Sequence, residues 1–147
     1  MNTPFDKVIE GTKKAQTDTD IVILDQVRNE ESFVVRLQAD QMFDGYRGDG
    51  REIRPLYAPS TVLIKRQKGQ PTQRVTLRDT GDFHDSLVIE YGPTEFRLDA
   101  TDEKRPYLAG KYGEQIFGLD DVALDRLINK VREPIIRELQ KMMLVNA

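Results

Sequence analysis

Asp79, Asp82 and Asp85 recur at every third position with His84 beside them, and three carboxylates with one imidazole are donor types that can hold a divalent cation. Asp79 and Asp82 also flank Gly81, where Asp is common because its carboxylate caps the local backbone. A Mg²⁺ site would further need a phosphate-bearing substrate, and Lys68-Gly69-Gln70-Pro71 lacks the spacing of a phosphate loop. The turn reading is therefore preferred, and no metal or cofactor is expected. The stretch from Asp44 to Glu52 resembles a calcium loop only superficially, because Tyr46 and Gly48 stand where acids are required. Arg47-Gly48-Asp49 spells an adhesion tripeptide, a match too short to carry an argument. One histidine supplies no nucleophile, base and orienting acid that can be chosen without arbitrariness, so no enzyme and no catalytic residue is expected.

Composition narrows the classes further. The chain has 147 residues, 38% of them hydrophobic, which is the scale of one domain with a compact core, and a single domain over 1–147 is expected. Without cysteine there is no disulfide framework and no thiolate zinc site. No apolar run approaches the ~18 residues of a membrane span, and the polar start MNTPFDK lacks a signal-peptide core. A protein made and folded in a cytoplasm, with no membrane contact, is the expectation.

The formal charge of -3 conceals strong segregation. Residues 47–78 carry 8 basic and 2 acidic side chains, and residues 79–125 carry 4 basic and 12 acidic ones. The basic stretch, with Arg47, Arg51, Arg54, Lys65, Arg66, Lys68 and Arg74 and with Tyr46 and Tyr57 among them, could meet nucleic-acid phosphates. A sequence pI near 5.3 is low for that role. The preferred reading pairs the basic block with the acidic one, in the same subunit or the next.

The elements that must position these residues run helix, sheet, helix. Phe5, Val8 and Ile9 predict a short helix that Gly11 and the polar run Gln16–Asp20 interrupt, so 1–19 is expected to be flexible or ordered by a partner. Ile21, Leu24 and Val27, then Phe33, Val34, Leu37 and Met42, predict two short helices or one bent one ending before Gly45. Asp44–Arg51 and Tyr57–Ser60 read as loops, after which 61–66 fits a strand or a helix capped by Ser60. Val75-Thr76-Leu77 reads as short and extended. Leu87, Ile89 and Tyr91, a Gly92-Pro93 turn, then Phe96, Leu98 and Ala100 predict an antiparallel hairpin with one apolar face. Asp120-Asp121 opens a last helix whose stripe of Leu124, Leu127, Ile128, Val131, Ile135, Leu139 and Met142 should cover that face, with Pro134 kinking or restarting it. The fold class is thus α+β: a small antiparallel sheet, N-terminal helices and a long, Pro-interrupted C-terminal helix.

The run Tyr57-Ala-Pro-Ser-Thr-Val-Leu-Ile-Lys65, followed by Leu77-x-x-Thr80-Gly81-x-Phe83-x-x-Ser86, the strand pair, Tyr107–Gly113 and Gly118-Leu119-Asp120, resembles the virion-morphogenesis and tail-component proteins of tailed bacteriophages. The likeness runs from about Phe43 to Arg137. It implies a structural virion protein of the neck or tail end, assembled in the host cytoplasm. Such a protein forms a homo-oligomeric ring beside other neck, portal or tail proteins, with at most a passing contact with genomic DNA. The motif Leu77, Thr80, Gly81, Phe83 and Ser86 reads as a conformational device, Gly81 taking a backbone angle closed to other residues and Phe83 entering the core. A DNA-contacting accessory protein is the alternative, and a metal-assisted phosphoryl enzyme is a remoter third.

Overall fold

In a computed structural model the main chain is described for residues 4–145 and side chains for 17–145. The element order is α1 (Pro4–Asn29), α2 (Glu31–Phe43), α3 (Pro59–Gln67), α4 (Asp82–Asp85), β1 (Leu87–Tyr91), β2 (Phe96–Ala100), α5 (Arg105–Tyr112), a 3-10 turn (Glu114–Ile116) and α6 (Asp121–Val145). This is an α+β fold with N-terminal helices and a long C-terminal helix.

Periodicity builds the hairpin. Its register pairs Leu87 with Ala100 and Ile89 with Leu98, so the four side chains leave the sheet on one face and are all buried. Gly92 N–H donates to the Glu95 carbonyl at 2.8 Å and closes the turn. Only part of the expected α6 cover arrives: Leu127 and Val131, with Ala123, pack with Ile89 and Leu98 and with Val27, Val34 and Leu37 of α1 and α2. Leu124 and Ile128 of the expected stripe stay exposed, the stripe being wider than the face these elements cover. Burying a side chain of that size stabilises by roughly 1.5–3 kcal/mol. A second cluster gathers Met42, Ile53, Val75, Leu77, Phe83, Tyr112 and Ile116 around Leu87 and Ala100 of the hairpin, and Val35 of α2 packs against both clusters.

Four more expectations need correction. The first helix is neither short nor interrupted: α1 continues through Gly11 and the polar run to Asn29, and the only joint before α2 is Glu30. Gly11 costs a helix only about 1 kcal/mol, and the packing of Val22 and Val27 outweighs it. The start of α3 is set by Pro59 at its first position, where a missing N–H costs nothing, with Ala58 and not Ser60 as the capping residue. Val75–Leu77 joins no strand, because Leu77 takes φ +52° and Thr76 N–H donates to the Tyr57 hydroxyl at 2.9 Å. Pro134 lies within α6 without ending it.

Candidate functional site

The family-like motif forms one self-contained turn. Gly81 at φ +97° sets the start of α4. A Cβ there would touch only Arg78 Nε at 3.8 Å and Asp85 Oδ2 at 3.9 Å, so the requirement for glycine is conformational, not steric. Asp82 N–H donates to Thr80 Oγ1 at 3.3 Å, and Ser86 Oγ donates back to the Phe83 carbonyl at 2.8 Å. Phe83 enters the core and meets the Phe117 ring at 6.3 Å. Leu77 is buried as well, so all five motif residues serve the shape of this turn.

The neighbouring acids do not converge. Among the described residues no group of three or more His, Asp or Glu is placed to hold a metal ion. Asp79 binds Lys68 at 2.7 Å, and hydrogen bonds from Lys68 and then Gln70 hold its carboxyl below the ordinary range. His84 turns away from the acids, its Nε2 donating to the Thr76 carbonyl at 2.9 Å from a buried position. Burial lowers its pKa from 6.5, although the Thr76 hydrogen bond opposes this, and the imidazole is a neutral structural donor.

The seven candidate cations form no single patch. Lys65 is buried: its Nζ donates to the Arg78 carbonyl at 3.1 Å and to Gln70 Oε1 at 3.2 Å, and lies 4.7 Å from the centre of the Tyr57 ring. Arg74 donates to the Phe43 carbonyl at 2.8 Å and covers the Phe43 ring. Arg47 pairs with Asp49, Arg54 with Glu52 at 2.9 Å, and Lys68 with Asp79. Arg47 holds the Asp49 carboxyl down at about 2. Arg51 and Arg66 are exposed without an ion pair among the described residues. Lys68–Asp79 alone joins the basic and acidic blocks within these residues, so most of that charge asymmetry faces outward.

Sequence reasoning missed the polar groups that fix the second half of the chain. Gln38 and Gln41 of α2, both buried, grip residues 116–120. Gln38 donates to the Ile116 carbonyl at 3.3 Å and accepts Gly118 N–H at 2.7 Å. Gln41 donates to the Gly118 carbonyl and accepts Asp120 N–H, both at 2.8 Å. Their i, i+3 spacing on an apolar helix face was the available signal. Arg105 was missed too: it binds Asp99 at 2.7 Å and Glu114 at 2.8 Å, and stacks over Phe117 at 5.1 Å.

Two grooves meet beside α6. One, of about 330 Å³, runs between α1 and α6 over Ile23, Val27, Leu124, Ile128, Val131 and Ile135. The other, of about 430 Å³, mixes Phe96, Phe117, Leu119 and Leu124 with the Arg105–Asp99–Glu114 cluster. Phe96 and Leu124 border both. No helix among the described residues is long and apolar enough to cross a membrane. Set against protein-family models, curated proteins and solved structures, the chain matches none of them.

Proposed function

We propose that this protein is a structural component of a tailed-phage virion, acting at the head–tail junction as a ring of identical subunits and working through its interfaces. The observation that carries the reading is the agreement in order between the motif and the fold. The Leu77–Ser86 turn leads directly into the β1–β2 pair, then into α5 with its tyrosines, then through Gly118 into the final helix, which is the succession the resemblance implies. The outward-facing charge asymmetry supports it as well, because a basic surface on one subunit meeting an acidic surface on the next repeats around an axis and closes when the rotation fits. The basic block offers less to the DNA reading, since Lys65 is buried and Arg74 is held by the Phe43 carbonyl.

The test is location. Mass spectrometry of purified particles should find the chain at a fixed, small copy number, and deletion should leave heads and tails unjoined. Normal infectious particles that lack the protein would overturn the proposal.

A further inference from the structure

The helix α6 carries two apolar stripes, and only one of them is used. Ala123, Leu127 and Val131 face the core, while Leu124, Ile128 and Ile136, each about 40% exposed, form a second stripe that Leu139 and Met143 extend toward the end of the helix. With the exposed Ile23 on α1 they flank the 330 Å³ groove. At 1.5 Å per residue α6 is about 37 Å long, and two helices side by side are about 20 Å across. Over 121–136, the 16-residue stretch that borders the groove, the face is about 24 Å long and on the order of 500 Å², or about 1,000 Å² counted over two copies, the lower end for a specific interface.

Charge on this stripe selects the occupant. Asp125 and Arg132 stand seven residues apart on the side of the helix that Ile128 and Ile136 share, with Ile128 between them. Both are exposed, and neither makes an ion pair among the described residues. A second α6 laid antiparallel and centred between Ile128 and Asn129 brings Asp125 of each copy opposite Arg132 of the other, around a central Ile128–Ile128 contact. A parallel copy in register would set like charges together.

We infer that the exposed stripe of α6 is the contact on which two copies of this chain pair about a two-fold axis, sealed by reciprocal Asp125–Arg132 bridges. The inference goes beyond the ring reading, because an isologous contact closes on two copies and is separate from the head-to-tail contact a ring requires. In this pair the last turns of each α6 overhang the start of the other, where Leu124 and Phe96 open onto the mixed groove.

Light scattering and sedimentation of the full chain test it. The wild type should be dimeric or an even multiple, and Ile128→Asp should reduce it to half that mass with its circular dichroism unchanged. Asp125→Arg and Arg132→Asp, each turning two attractive pairs into repulsive ones, should each raise the dissociation constant about tenfold or more. The two combined in one chain should restore pairing, which holds as a test even if Ile128→Asp folds poorly. A monomeric wild type, or an oligomer that ignores all of these variants, overturns the inference. Rings that persist in micrographs of such variants would leave the ring reading standing without it.

Discussion

Gly48 rests against the main chain at Phe117 so closely that a Cβ on it would lie 2.7 Å from the Phe117 carbonyl oxygen and 3.1 Å from Gly118. Its N–H donates to the Gln115 carbonyl at 2.7 Å, which ties the 44–52 loop to the segment leading into α6. Backbone on both sides leaves nothing flexible to give way. Gly48→Ala should therefore destabilise by about 1–3 kcal/mol, at about 2–4 °C of melting temperature per kcal/mol. Gly110→Ala is the control, because a Cβ there meets nothing within 4 Å and the residue is helical. A Gly48→Ala protein that melts with the wild type would refute the close contact.

Gln41 is worth more than its size. Removing its amide by Gln41→Ala strands the Gly118 carbonyl and the Asp120 N–H in a half-buried place, at a cost of about 1 kcal/mol. Hydrogen exchange locates the effect: the Asp120 amide should lose protection while the β1–β2 amides keep theirs. Unchanged exchange at Asp120 would show that the clamp does not hold this segment.

The buried imidazole of His84 makes stability depend on pH in a definite direction. Its folded-state pKa is lowered, chiefly by burial, so the folded chain binds fewer protons than the unfolded chain, whose histidine titrates near 6.5. The contribution is complete above about pH 6.5 and is lost as pH falls through the window beneath it. Melts at about pH 7.5 and 5.5, above the range in which most carboxylates titrate, should show the wild type weakening with acid. His84→Gln, which can still donate to the Thr76 carbonyl, should flatten that dependence. An equally steep variant would assign the effect elsewhere.

Lys65 and Arg66 are adjacent in sequence and opposite in role. Lys65→Met removes a buried ammonium that serves Gln70 and the Arg78 carbonyl, and should cost about 1–3 kcal/mol. Arg66→Ala alters an exposed side chain and should stay within about 0.5 kcal/mol. Denaturant midpoints for the pair decide the matter. Equal losses, or a neutral Lys65→Met, would contradict the assignment of Lys65 to the interior.

How far the sequence could be read depended on the range of the forces involved. The hairpin was legible because Leu87, Ile89, Leu98 and Ala100 alternate, and that alternation alone fixes which face is buried. At helical period the α6 stripe was legible only in part: Leu127 and Val131 turn inward as expected, whereas Leu124 and Ile128 of the same stripe stay exposed. The break between α1 and α2 was legible too, in the polar run 29–32 that separates two apolar sets. The length of α1 was not, because Gly11 and the polar run 16–20 read as an interruption that the packing of Val22 and Val27 overrides. At the site, the positive φ at Gly81 and the burial of Phe83 followed from local chemistry. The dispersal of the basic block did not, because Lys65 and Arg74 find their acceptors through residues 13 and 31 positions away.

The two glutamines of α2 recognise only main-chain N–H and carbonyl groups of residues 116–120, each across nearly eighty positions of sequence. Such a grip is blind to spelling and sensitive to counting. Side chains there can change and leave these hydrogen bonds in place as long as Gly118 keeps its φ of +108° and Ile116 its buried seat, whereas one inserted or deleted residue would throw the grip out of step. Divergence there should be read in letters changed, never in length.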